Sequence, residues 1–370
     1  MKHPRKSLVL PVALLSLFGL VATACGDDKA DTTTTTAAAG GDATTTTVAA
    51  YDYASLTGTL NGSGSSFQDA LEQTVKGEFE KKATGVKVNY AKSGSSAGKA
   101  DLAGNTVQFA GTDSLIKDAD KASFTGGQVL YFPIAAAPIT VSFHLTGVAD
   151  LTFSADTLAG IFSGAITTWN DPKIATDNPD AKLPSTPIAV VHRSDGSGTT
   201  SNFTKYLKKA APTAWTLDAG DTVNWPATTQ GAEKNSGVAA LIGSTEGAVG
   251  YVDLADSVSA KLDRAKVINA AGKAVEPKLP GASAALAGAT INPDLTYDPL
   301  DAPGDAVYPI TSPTWVIVYK TQADPKVAAA LKGYLNFMLT EGQKLAPTVG
   351  YAPLPADLAK QAIAQLDQIG

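Results

Sequence analysis

The sequence predicts an α/β fold with room for two lobes. Strand-like apolar runs alternate with helical apolar stripes, a pattern that implies mostly parallel sheets with both faces covered. The stretch from about 51 to 370 is long enough for two lobes of ordinary size. A single cysteine, Cys25, excludes an intrachain disulfide, so the fold stands on its hydrophobic core.

Phe67, Leu71, Val75 and Phe79 recur every four residues and predict a helix, followed by a strand over 86–90. Further strands are expected over 139–143, 188–191, 248–252 and 315–319. Val327, Leu331, Tyr334, Leu335 and Met338 then form the apolar stripe of a helix whose first turn suits Pro325. A last helix carries Leu358, Ala362, Leu366 and Ile369 beyond the stop Pro353-Leu354-Pro355. No internal period indicates a repeat architecture.

At the N-terminus, Lys2, Arg5 and Lys6 precede an apolar run over 8–21 that is interrupted by Pro11 and short for a membrane span. Ala22-Thr23-Ala24 then places small residues ahead of Cys25. The pattern resembles a bacterial lipoprotein signal over 1–24, with Cys25 lipidated as the new N-terminus; Ala22 stands where an aliphatic residue is commoner. Residues 25–50 hold threonine runs at 32–36 and 44–47 with almost nothing to bury, and read as a flexible tether. Cleavage would take the formal charge from −6 to −9, because Lys2, Arg5 and Lys6 leave with the signal. So acidic a body excludes nucleic acid as a partner and makes any anion site a local arrangement.

The segment Val190-Val191-His192-Arg193-Ser194-Asp195-Gly196-Ser197-Gly198-Thr199-Thr200 runs from a strand end through glycines into a helix start. Such a junction aims backbone N–H groups at one point, and Arg193 adds a planar fork of donors; both suit an oxyanion. Alone, the segment reads equally well as a Gly/Ser turn with a surface arginine. Two related junctions tip the balance: Gly62-Ser63-Gly64-Ser65-Ser66-Phe67 and Ser93-Gly94-Ser95-Ser96, where serines are expected to cap the following helices. A fourth element, Phe109-Ala110-Gly111-Thr112-Asp113, is a short apolar strand ending in a hydroxyl and a carboxylate, and Asp113 alone fits an ordinary turn.

Catalysis is not supported. Ser197 is not within a Gly-x-Ser-x-Gly elbow, and beyond His3 only His144 and His192 exist to serve as a base. No phosphate-binding Gly-x-x-x-x-Gly-Lys loop or metal-ligand spacing occurs, so no cofactor is expected.

In their order, the four elements resemble the substrate-binding lipoproteins of ABC-type phosphate importers, the PstS family. Gly164-Ala165-Ile166-Thr167-Thr168-Trp169-Asn170-Asp171, Val223-Asn224-Trp225-Pro226 and Tyr308-Pro309-Ile310-Thr311-Ser312 agree with it, so the resemblance spans the folded body. It implies a type II periplasmic-binding-protein fold, with a ligand cleft between two lobes joined by two crossing segments. Lobe I would combine 51–140 with 309–370, and lobe II would be 141–308. Inorganic phosphate would be held by Ser66, the Phe67 N–H, Ser95 and Asp113 from one side, and by Arg193, Ser197, Gly198 and Thr199 from the other. Asp195 would orient Arg193, the one full positive charge of the set, and is counted with the phosphate-binding residues. A monomer on the outer face of the cytoplasmic membrane, serving permease and ATPase subunits, is implied. Ser66 stands where threonine is frequent, His192 where arginine is frequent, and Gln108 where an acid is frequent; none removes a direct ligand contact. The alternatives are a binder of another oxyanion or small phosphorylated ligand, or a serine hydrolase.

Overall fold

The computed structural model describes residues 51–370. The export signal, Cys25 and the threonine-rich tether lie outside the described residues. The chain opens with β1 (Thr57–Gly64), α1 (Asp69–Lys82), β2 (Gly85–Ala91), α2 (Ser95–Ala103) and β3 (Phe109–Thr112), with β2 and β3 flanking β1 in parallel. Strand β4 (Val129–His144) follows, then β5 (Thr152–Phe153), α3 (Ala155–Phe162) and α4 (Pro172–Asp177). Next come β6 (Ala189–Arg193), α5 (Gly198–Ala210), β7 (Gln230–Ala232), α6 (Lys234–Ser244) and β8 (Ala248–Asp253), with β7 and β8 parallel to β6. After α7 (Leu254–Ser259), β9 (Asp263–Arg264), β10 (Lys266–Ile268), β11 (Ala274–Val275) and α8 (Leu279–Ala287), the chain returns through β12 (Thr311–Tyr319). It ends with α9 (Pro325–Leu339), α10 (Glu341–Leu345) and α11 (Ala356–Gln365).

The main sheet has the order β2-β1-β3-β12-β4-β8-β6-β7, with β9 attached to β4. Its two parallel parts are joined by antiparallel pairs, β3 with β12, β12 with β4, and β4 with β8. The sheet is therefore mixed, where the alternating pattern predicts mostly parallel pairing. The cause is topological: β4 carries the chain out of the first part and β12 carries it back beside β4, so the two run in opposite directions. Strand β4 spends Val129 to Pro138 against β12 and Ile139 to His144 against β8. Proline marks both irregularities in this strand. The register with β12 slips where Trp315 faces Pro133, and the partner changes just after Pro138. Proline has no N–H to give a ladder, so these are the places where a central strand tolerates it.

Burial follows the apolar periodicity. Leu71, Val75 and Phe79 of α1 are fully buried, and Phe79 packs edge-on to Tyr334 of α9 with ring centroids 5.2 Å apart. Helix α9 starts on Pro325, capped by the Asp324 carboxylate accepting from the Lys326 N–H. All six residues of β8 are buried because helices cover both faces. Val238 and Ile242 of α6 share one cluster with Val191 and Val252, while Phe162 and Phe203 meet Tyr251 on the other side. The C-terminal helix is shorter than its apolar stripe: α11 stops at Gln365, a 3-10 turn follows over Leu366–Gln368, and Leu366 and Ile369 remain buried.

Helix α2 approaches β1 so closely that a Cβ on Gly98 would lie 2.5 Å from Gly64 Cα and 2.8 Å from the Ser63 carbonyl. Backbone cannot yield as a flexible side chain can. Gly98→Ala is expected to lower unfolding free energy by about 1–3 kcal/mol, read from denaturant midpoints at unchanged slope; an unchanged midpoint would contradict this packing.

Candidate functional site

The loops after β1, β2 and β3 leave the carboxyl ends of parallel strands, as do those after β6 and β7, and the two sets meet face to face. A Cβ on Gly198 would lie 2.7 Å from Ser95 Oγ and 2.8 Å from Asp113 Oδ2. A Cβ on Gly94 would lie 2.7 Å from Asp195 Oδ2. Glycine is required at both places because the two sides pass within contact distance. Asn202 Nδ2 donates across this junction to the Asp113 carbonyl at 2.6 Å and to Ser312 Oγ at 3.0 Å. Ser66, Phe67, Ser95, Asp113, Arg193, Ser197, Gly198 and Thr199 are all buried here, and Asp195 is partly so.

Asp113 is at the centre and is 1% exposed. Its Oδ2 accepts from Ser65 Oγ at 2.6 Å and Ser95 Oγ at 3.4 Å, and its Oδ1 accepts from Thr314 Oγ1 at 2.6 Å. Burial pushes the carboxyl up to about 6 despite these bonds and the nearby Arg193 charge. The Thr314 hydroxyl also lies 2.7 Å from Gln68 Oε1, so its single proton faces two acceptors. A proton on Asp113 Oδ1 resolves this conflict: Asp113 then donates to Thr314, and Thr314 donates to Gln68. Gln68 in turn donates to Glu72, whose buried carboxyl is lifted to about 7 by burial against a hydrogen bond from Tyr334.

Across the junction, Arg193 is 3% exposed and gives two of its N–H groups to Asp195, Nε to Oδ1 at 2.7 Å and Nη2 to Oδ2 at 2.5 Å. Burial would raise the Asp195 carboxyl, but Arg193 and then Lys234 outweigh it and hold the group down to about 2. Lys234 adds a second cation beside Asp195. Its Nζ lies 3.2 Å from Asp195 Oδ2 and donates to the Ser93 carbonyl at 3.0 Å, while its backbone N–H donates to Asp195 Oδ1 at 3.0 Å. Lys234 also holds a left-handed φ of 63°, a conformation that costs a non-glycine residue energy and here sets both donors on one carboxylate.

The serines differ from their expected capping roles. Ser197 caps α5, accepting from the Thr200 N–H at 3.2 Å. Helices α1 and α2 are preceded by Gln68 and Gly94, neither of which supplies a side-chain cap. Ser65 and Ser95 point to Asp113 instead, because a hydroxyl that donates to a buried carboxylate makes the stronger bond. Two of the predicted donors have partners within the protein: the Phe67 N–H meets Ser65 Oγ at 3.0 Å, and the Ser197 N–H meets the Asp221 carbonyl at 2.9 Å.

Asn235, fully buried at the start of α6, joins the two sets of loops. Its N–H and Nδ2 reach Ser66 Oγ at 3.2 and 3.4 Å, and Nδ2 reaches Thr199 Oγ1 at 3.1 Å. Its Oδ1 has no hydrogen-bond partner among the described residues. Gln108 lies outside the cluster, accepting from the Asn61 N–H on an exposed edge. His192 stacks on Trp225 with centroids 4.9 Å apart and faces the Arg193 carbonyl through Nδ1. Sequence reasoning missed Ser65, Gln68, Asn202, Lys234, Asn235 and Thr314 as site residues. Ser312 and Thr314 carried a usable signal: buried hydroxyls two residues apart in an apolar strand share one face.

The raised carboxyl of Asp113 fixes a sign. Its folded value of about 6 exceeds the ordinary 3.8, so the folded chain holds the proton more tightly, and the stability this adds at low pH is lost as pH rises through about 6. Between pH 4 and pH 8 the unfolding free energy of Asp113→Asn, relative to the parent, should shift by about 2–2.5 kcal/mol in favour of the variant. Denaturant titrations of the ligand-free proteins measure this, and a pH-independent difference would contradict it.

A family model described as PBP superfamily domain matches residues 30–341. The chain is 34% identical over 308 residues to the phosphate-binding protein PstS of Xylella fastidiosa strain 9a5c, covering 82% of this chain and 83% of that one. It is 36% identical over 333 residues to the phosphate-binding protein PstS of Methanocaldococcus jannaschii, covering 83% and 85%. Among solved structures it resembles the high-affinity periplasmic phosphate-binding protein PfluDING bound with phosphate. There the TM-score is 0.71 at 23% identity, covering 83% of this chain and 94% of that one, which shows the shared fold. The chain belongs to the PBP superfamily and, within it, to the PstS family of phosphate-binding proteins.

Proposed function

We propose that this protein binds inorganic phosphate between two lobes and delivers it to the permease and ATPase subunits of an ABC-type importer. The observation that carries this reading is Asp113: a buried carboxylate facing Arg193 and the start of α5, in a chain whose relatives are named phosphate-binding proteins. Lobe I is 51–140 with 309–370 and lobe II is 141–308, with β4 and β12 as the crossing strands. The relatives' names describe binding, and among the described residues Ser197 has Thr200 as its hydrogen-bond partner with no histidine joined to it, which supports a carrier over a hydrolase.

A buried dianion must regain the hydrogen bonds it gives up with water. Ser66, Ser197 and Thr199 would donate hydroxyl protons, joined by Ser95 turned from Asp113 and the Phe67 N–H turned from Ser65, and the Gly198 and Thr199 N–H groups stand in the first turn of α5, where the Ser197 cap takes only the Thr200 N–H. Hydrogen bonds to a charged group contribute about 1.5–3 kcal/mol each, so this set offsets dehydration with little formal charge. Arg193, held flat by Asp195, supplies the charge, and Asp195 in turn tempers it.

Ionised Asp113 has a lone pair for the proton that phosphate still carries near neutral pH. Sulfate carries none and would leave two acceptors facing each other in a buried space. Competition calorimetry should show phosphate bound and sulfate excluded at pH 8, with exclusion weakening as pH falls through about 6 and Asp113 takes up its own proton. Asp113→Asn should admit sulfate at pH 8 while losing less phosphate affinity. Sulfate exclusion that persists in the variant would remove Asp113 from this role, and a parent protein that ignores phosphate would overturn the function.

Cys25, by its place after the export signal, would anchor the protein to the outer face of the membrane as a monomer. Among the described residues no helix is long and apolar enough to cross a membrane. Cells making Cys25→Ser should release the protein from the membrane fraction into the soluble one; retention would contradict the anchor.

A further inference from the structure

Asp221 lies in the loop beyond α5, outside the proposed phosphate ligands, yet it is 5% exposed. Its Oδ2 accepts from Lys99 Nζ at 2.8 Å, Ser96 Oγ at 2.9 Å and Ser114 Oγ at 3.0 Å. Ser96 and Lys99 stand on α2, and Ser114 follows β3, so every donor comes from the opposite side of the junction. Lys99 spends its other two N–H groups on Ser114 Oγ at 2.9 Å and the Leu115 carbonyl at 3.3 Å. Burial disfavours the charge on Asp221, but Lys99 and the two hydroxyls hold its carboxyl below the ordinary range. The Asp221 carbonyl also accepts from the Ser197 N–H at 2.9 Å, which ties this loop to the start of α5.

We propose that Asp221 and Lys99 form a closure latch: an ion pair made only when the two sides are together, which slows phosphate release without touching phosphate. The inference rests on the two-lobed phosphate-binding reading above. When the sides part, Lys99, Ser96 and Ser114 stay on one and Asp221 leaves with the other, so both charges return to water. The pair therefore acts on the closed form alone. A buried pair gains little over a well-packed apolar contact, but removing one partner leaves an uncompensated charge that disfavours burial. Either single substitution should thus favour opening. Since Asp221 contacts no ligand, its effect falls on dissociation more than association.

The test is stopped-flow phosphate release and calorimetry on the parent, Asp221→Asn, Lys99→Met and the double variant. Each single variant should release phosphate at least about tenfold faster, with association changed by less than about threefold, and the double variant should be no faster than the faster single one. Release within about twofold of the parent, or effects that multiply in the double variant, would overturn the latch. Lys99→Met carries the test alone if Asp221→Asn fails to fold. A parent that does not bind phosphate overturns the proposed function but leaves the latch testable by small-angle X-ray scattering of the ligand-free proteins. The two single variants must then show a larger radius of gyration than the parent, and equal radii overturn the latch.

Discussion

A carboxylate held out of water at the meeting of five loops is the constraint around which this protein is arranged. Asp113 ends a parallel strand, and its two oxygens are occupied by Ser65 and Ser95 on one side and Thr314 on the other. To bring those hydroxyls together the chain threads β1, β3 and β12 side by side, with glycine at 64 and 98, where a Cβ would strike neighbouring backbone. Charge is supplied from the far side. Arg193 and Lys234 both attend Asp195, so the cationic face is neutralised in part before any anion arrives. Such an arrangement suits the proposed carrier: neutral dipoles would provide most of the binding, and the limited net charge would let the anion leave when the sides separate.

The same geometry explains why the fold is built on two long antiparallel strands. The cleft opening proposed above would need a link that bends without breaking the core, and β4 and β12 pass through the middle of the sheet with almost every residue buried. In β4, Pro133 and Pro138 sit where the ladder shifts register and where it changes partner, so the interruption costs no hydrogen bond that the sheet needs. Stability and function pull against each other at Asp113. The buried carboxyl opposes folding at neutral pH, and the selectivity proposed for it requires that same burial.

Much of this was legible in the sequence. The four-residue spacing of Phe67, Leu71, Val75 and Phe79 located α1, and the glycine–serine junctions located the loops that converge. The order of those motifs pointed to the family that the relatives then established. What stayed hidden depended on tertiary placement. Lys234 and Asn235 follow a short strand with no motif around them, and only folding brings them to Asp195 and Ser66. The link between Lys99 and Asp221 spans 122 positions along the chain and has no local signature. Ser65 and Ser95 were expected to cap helices because serine is a good cap. The structure gives them a buried carboxylate, a stronger acceptor that no local pattern announces. Mixed pairing in the sheet was missed for a similar reason, since alternation of strands and helices says nothing of the return path through β12.

The ionisation of Asp113 tests the account most directly. Carboxyl-carbon NMR of the protein labelled at aspartate, titrated with and without phosphate, reads this group itself; Asp113→Asn assigns the signal. The account predicts a midpoint near 6 in the ligand-free protein and, at pH 8, an ionised Asp113 hydrogen-bonded to the proton of bound phosphate. A midpoint at the ordinary 3.8, or a carboxyl signal that phosphate leaves unmoved, would contradict it.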